Sequence, residues 1–400
     1  MRKTLLLLPG PVPVAPPVLE AMAWPMINHR GQEFAELLAR LERGMKPVFG
    51  TSSDVLFLGS SGTGGLEAAV ASCFSPGDRV LSCPVGVFGK RLAEIARVQG
   101  CTVEVLETPL GAALDPGVLR ARLQQSDGRS FRGILLTHNE TSTGVQNDMA
   151  AIAAVTRDHG ALTIVDSVSG LGASPFAMDD WGFDVVVTAS QKAFAAPPGV
   201  AMVAVSERGW TAIESSRGTR FYFDLKKARE FASKGQTPWT PPISQFYALA
   251  VALERYHADG LDANFERHAT YANAVRAAFE ALGCTIFSRP DAHSVTVVAA
   301  YPPGGVDAAA LLKTLREGYG VVISGGQGEL TGKIVRFGTM GDVAINDLLG
   351  AIAALELALA DCGAPVTLGS GVAAAAAVLR PQGVSNGLLQ HPHERTVVVP

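Results

Sequence analysis

From Asp54 onward, short apolar runs alternate with stretches of helical period, and few folds accept that rhythm. The spacing predicts strands at Asp54–Leu58, Arg79–Cys83, Thr102–Leu106, Gly133–Thr137, Leu162–Val165, Asp184–Thr188 and Val200–Val205, with helices at Leu66–Phe74, Phe88–Gln99 and Met149–Asp158. Runs this apolar belong to strands buried on both faces. The expected class is therefore α/β, a mostly parallel sheet covered by helices with right-handed crossovers. The rhythm breaks at Pro238, Pro241 and Pro242. Helices are expected at Gln245–His257, Phe265–Leu282, Asp307–Tyr319 and Ala344–Leu359, with strands at Val295–Ala299, Val321–Ser324 and Ile334–Phe337. These describe a smaller C-terminal α+β domain. The expected division is a large unit over 20–255, a small unit over 256–380 completed by 1–19, and a loosely held tail over 381–400.

A chain of 400 residues is long enough for two cores, and 48% hydrophobic against 18% charged residues supplies them. A net charge of -4 offers no footprint for nucleic acid or an anionic membrane. No apolar stretch nears the roughly 18 residues of a membrane span. Arg2 and Lys3 before Leu5–Leu8 imitate a secretory leader, but Pro9, Gly10 and Pro11 end that run early. Cys73, Cys83, Cys101, Cys284 and Cys362 show no metal-binding spacing. The expectation is a soluble cytoplasmic protein with reduced cysteines and no metal.

Three places carry chemistry. Between the first strand and helix lies Gly59-Ser60-Ser61-Gly62-Thr63-Gly64-Gly65, which reads either as a plain turn or as a phosphate seat where glycines admit close approach and a helix start presents free N–H groups. Asp166 follows directly on a strand, at the sheet's carboxyl edge; it reads as a helix cap or as the partner of a cationic ligand. Lys192 follows the next strand amid Ala, Phe and Pro. It reads as a surface lysine or as a desolvated amine ready for carbonyl chemistry. One cofactor uses all three. Pyridoxal phosphate has a phosphate for the helix start, a protonated ring nitrogen for the acid and an aldehyde for the lysine. Phe88 opens the next helix and could stack on a ring or sit in the core. Arg336, inside an apolar strand, needs an anion: a substrate carboxylate or a structural acid.

In sequence order, Leu7-Leu8-Pro9-Gly10-Pro11, Asn28-His29-Arg30, Ser61-Gly62-Thr63-Gly64, His138-Asn139-Glu140-Thr141-Ser142-Thr143-Gly144, Val165-Asp166-Ser167-Val168, Ser190-Gln191-Lys192, Thr240-Pro241-Pro242 and Arg336-Phe337-Gly338 make a pattern. It resembles the class V aminotransferases, fold-type I pyridoxal phosphate enzymes, and among them the alanine/serine–glyoxylate (serine–pyruvate) type. The resemblance implies that Lys192 holds the cofactor and shuttles the substrate Cα proton, and that Asp166 pairs with the ring nitrogen. It implies phosphate contacts from Ser61, Gly62, Thr63 and Gln191, a hydroxyl from Thr141 near the ring oxygen, and stacking by Phe88. Arg336 would grip the substrate carboxylate beside Gly10. It further implies a homodimer with shared sites, Thr237 and Thr240 reaching the partner's cofactor phosphate. Some relatives have Tyr where Thr237 stands, Trp where Phe88 stands and His where Thr339 stands.

Three other readings compete. A lyase related to cysteine desulfurase or kynureninase would share the sheet, acid and lysine, but desulfurases show His before the lysine, where Gln191 stands. A dinucleotide-binding dehydrogenase needs G-x-G-x-x-G, which Gly62-Thr63-Gly64-Gly65-Leu66-Glu67 does not complete. A non-catalytic binding module has no use for Lys192, Asp166 and Arg336 together. Aspartate remains open as the amino donor beside alanine and serine.

Overall fold

The computed structural model describes residues 4–125, 131–157 and 159–380. The tail over 381–400, the end of the expected helix at Asp158, and Arg2 and Lys3 lie outside the described residues. A seven-stranded sheet carries the strand order Asp54–Gly59, Val200–Val205, Val185–Ala189, Leu162–Asp166, Gly133–Thr137, Arg79–Ser82, Thr102–Val105. Val200–Val205 runs antiparallel to both neighbours, and every other pairing is parallel.

Alternation along each strand feeds two cores. Val55, Phe57, Ile134, Leu136, Val165, Val186, Met202 and Ala204 face one helical layer, while Leu56, Leu58, Leu135, Ile164, Val185, Val187, Ala201 and Val203 face the other. Burial on both faces is why the strands read as continuous apolar runs.

A second sheet of four strands, Thr285–Ile286, Val297–Tyr301, Val335–Gly338 and Ser324–Gly325, packs under the helices Leu261–Ala281 and Ile345–Asp361 around its own core. Leu7 belongs to this core, whereas Ala15 and Val18 belong to the first. The apolar run at the amino terminus forms the strand Leu5–Leu6, paired in parallel with Val321–Val322.

Two expected strands differ by more than one residue. Val295–Ala299 is displaced to Val297–Tyr301 because Ser294 and Thr296 hydrogen bond to the Asn139 side chain and Thr339 N–H takes the Thr296 carbonyl. Val321–Ser324 is divided, its first half pairing with Leu5–Leu6 and Ser324–Gly325 with Val335–Gly338. The expected helix Asp307–Tyr319 is α-helical over Ala308–Thr314, capped by Asp307, then widens to a π-turn over Leu315–Tyr319. Among the described residues no helix is long and apolar enough to cross a membrane, and no cluster of three or more His, Cys, Asp or Glu could hold a metal.

Candidate active site

The carboxyl ends of the central strands gather the chemistry. The helix Gly62–Cys73 starts at Ser61, whose side chain makes no capping bond. Gly64 and Gly65 N–H turn back to the Ser61 carbonyl, which leaves the Gly62 and Thr63 N–H groups pointing out of the helix start. A Cβ on residue 62 would lie 2.6 Å from Val168 Cγ2, so only glycine lets this helix start sit against the loop after Asp166.

Asp166 ends its strand 6% exposed. One oxygen accepts the Val168 N–H at 3.0 Å. Burial pushes its carboxyl up to about 6, against the pull of that N–H. Lys192 lies in a tight turn after the neighbouring strand, in which Ala195 N–H takes the Lys192 carbonyl and Ala195 is forced to φ 51, a strained conformation for a residue with a Cβ. Its Nζ donates to the Pro9 carbonyl at 2.6 Å. Burial lowers the amine to about 8; the Asp166 charge opposes that shift, and Arg336 and Arg91 add to it. Gly10, at φ 128, would drive a Cβ to 2.5 Å from Lys192 Nζ, so a side chain at this position would displace the amine.

Arg336 is 5% exposed on the strand Val335–Gly338. The structural acid expected as one possible partner is not there. Nε donates to the Gly325 carbonyl and Nη1 to the Thr141 carbonyl, each at 2.7 Å, and burial lowers the guanidinium to about 10. Glu140 acts on it through charge alone. That carboxylate, fully buried, accepts the N–H groups of Phe88, Gly89 and Ser142 and the Ser142 hydroxyl. Glu140 thereby pins the start of the helix Val87–Val98 and with it Phe88, a function not read from the sequence. Among the described residues Asp166, Lys192 and Arg336 have no ion-pair partner.

Gln191 precedes the lysine with a buried Oε1 that has no hydrogen-bond partner. Thr141 is buried, and its carbonyl is the one that takes Arg336. Thr240 is exposed in an open groove with Ser60, Ser61, Tyr222 and Pro198. Thr237 is not brought to this edge of its own chain. It lines a separate cavity with Val55 and Phe57, and its hydroxyl donates to the Trp239 carbonyl at 2.8 Å. Arg30 clamps that loop through Gln236 Oε1 and the carbonyls of Thr237 and Pro238; the sequence showed the Asn28-His29-Arg30 motif without this task.

The residues fit pyridoxal phosphate. An acid raised by burial relaxes when a ring cation arrives, an amine lowered toward neutrality is nucleophilic, and an uncapped helix start with an orphaned Gln191 oxygen has polar groups to offer a phosphate.

The Aminotransferase class-V family model matches residues 19–337. The chain is 40% identical to the soluble hydrogenase small subunit of Synechococcus sp., over 94% of this chain and 98% of that one. It is 38% identical to the L-aspartate–glyoxylate aminotransferase of Paracoccus denitrificans, over 92% and 94%, and 35% identical to the serine–glyoxylate aminotransferase of Methylorubrum extorquens, over 94% and 96%. The crystal structure of pyridoxamine–pyruvate aminotransferase from Mesorhizobium loti superposes with a TM-score of 0.89 at 32% identity, covering 94% of this chain and 96% of that one. The chain therefore belongs to the class V aminotransferase family, with the fold-type I architecture and the pyridoxal phosphate cofactor of that family.

Proposed function

We propose that this aminotransferase moves the amino group of a small L-amino acid, alanine or serine, to a 2-oxo acid such as glyoxylate or pyruvate. The observation that carries the reading is the convergence of three charged groups that have no ion-pair partner among the described residues: Asp166 and Lys192 at the carboxyl edge of the seven-stranded sheet beside an uncapped helix start, and Arg336 on a strand of the second sheet, with both other charges felt at the Lys192 amine. When bound, the cofactor draws electrons from the substrate Cα. Asp166 keeps the ring nitrogen protonated. Lys192 would hold the cofactor through its amine and would serve as the acid and base that moves the substrate Cα proton. Ser61, Gly62, Thr63 and Gln191 would seat the phosphate, Thr141 would lend a hydroxyl near the ring oxygen, Phe88 would stack on the ring, and Arg336 would grip the substrate carboxylate beside Gly10.

Aspartate as donor is a second reading, favoured by the 38% identity to the Paracoccus enzyme named for it. The reading includes a homodimer with shared sites. It is supported by Thr240 lying exposed beside Ser61 and by an uncovered aromatic cluster next to it, Phe221 at 71% exposure stacked on Trp239 at 5.0 Å. Thr237, its hydroxyl already engaged, would shape the partner-facing loop that carries Thr240. The two-unit division at about residue 255 belongs to the same reading, as does a cytoplasmic location, which five free cysteines suit.

The test is the visible spectrum of the purified protein. A yellow band that depends on Lys192, bleaches with L-alanine or L-serine and returns with glyoxylate is expected. Absence of any lysine-dependent band after adding cofactor defeats the reading; bleaching by aspartate alone transfers it to the second donor.

A further inference from the structure

We propose that Arg91 is a positioning residue of the phosphate seat, a cation that links Thr63 to Phe88 and adds its charge to the side of the bound phosphate that the helix start leaves open. The proposal rests on the aminotransferase reading above. Phe88 and Arg91 lie three residues apart on the helix Val87–Val98 and so share a face. The guanidinium stands over the Phe88 ring at 4.7 Å from its centroid, and Nη1 donates to Thr63 Oγ1 across a long 3.4 Å. A hydroxyl that accepts from a guanidinium keeps its own hydrogen free for an anion. Thr63 is thereby turned into a donor beside the free N–H groups of its helix start.

Arg91 has no carboxylate partner among the described residues, although one acid is close on the same helix. Glu94, three residues on, pairs with Arg97 at 3.3 Å. Lys90, the neighbouring cation, is engaged by Glu329 at 3.1 Å. The Arg91 charge reaches inward nonetheless, lowering both the Asp166 carboxyl and the Lys192 amine. An exposed guanidinium held over one ring, bonded to one phosphate-seat hydroxyl and felt at both catalytic groups lacks only an anion.

The test compares apoprotein affinity for pyridoxal phosphate with affinity for pyridoxal, which lacks the phosphate, by absorbance and tryptophan quenching without turnover. R91Q is expected to weaken pyridoxal phosphate about tenfold, leave pyridoxal unchanged, and show a smaller loss at high salt. R91K, which restores the charge without the planar stack, is expected to recover most of the affinity. Equal losses for both ligands would overturn the proposal, because Arg91 would then serve only to hold Phe88; so would no loss for either. Failure of the wild-type apoprotein to bind pyridoxal phosphate would instead defeat the aminotransferase reading itself.

Discussion

Two buried aspartates stand at opposite edges of the same sheet. Asp184, 2% exposed, precedes a strand at the amino edge. It accepts Thr163 N–H and hydroxyl, the Ser206 hydroxyl, and two guanidinium bonds from Arg208 at 2.7 and 2.5 Å. Asp166 ends the adjacent strand at the carboxyl edge with the Val168 N–H as its one donor and no paired cation among the described residues. One residue type on neighbouring strands is saturated where it joins structure and left short where the proposed cofactor would bind. Buried charge is stable only when compensated, so an uncompensated one is kept by what it binds.

That contrast can be broken in order of expected effect. Lys192→Ala should abolish the visible band and lower transamination at least about a thousandfold, with apoprotein melting unchanged or raised; a large loss of stability would mean the lysine is structural. Arg336→Met should raise KM for the amino donor about a hundredfold with a smaller change in kcat, read from steady-state kinetics. A fall confined to kcat would remove Arg336 from carboxylate binding.

The aspartates themselves should respond with opposite signs. Asp184→Asn should destabilise by about 2–4 kcal/mol in urea unfolding, since it weakens a bidentate pair whose arginine remains partly solvated, with activity per folded molecule preserved. For Asp166 the folded carboxyl titrates near 6 against an ordinary 3.8. The unfolded chain loses its proton first, so apoprotein stability falls as pH rises from about 4 to 6 and the penalty is complete above that. Asp166→Asn should therefore raise apoprotein stability at pH 8 by roughly 2–3 kcal/mol, leave it little changed at pH 4, and weaken cofactor retention. Equal stability of the two proteins at pH 8 would show that Asp166 is compensated after all. Smallest, Ser206→Ala should cost about 1 kcal/mol by removing one donor from Asp184 and the cap of the helix Glu207–Ser215, without touching kinetics.

Much of the large unit was legible because both its faces are buried: Gly133–Thr137 and Val200–Val205 have the bounds their apolar runs predict. The smaller unit was less so. Its strands are short, and the Ser294 hydroxyl takes the Thr296 N–H that the apolar pattern assigns to a ladder. Lys192, Asp166 and the Ser61–Thr63 turn were readable as a set because each follows a strand at the same edge. Arg91 was not, since a basic residue on an amphipathic helix looks like a solvated face until its stacking on Phe88 is seen.

What the chain determined by itself was period and residue type: an α/β sheet, a glycine turn before a helix, an acid and a lysine after successive strands, an arginine in an apolar strand. What only the tertiary structure decided was compensation. Lys192 meets a carbonyl 183 residues away at Pro9, and Arg336 meets one 195 residues away at Thr141. Whether a buried charge finds a counter-ion depends on which distant segments pack around it, and local sequence carries no record of those distances.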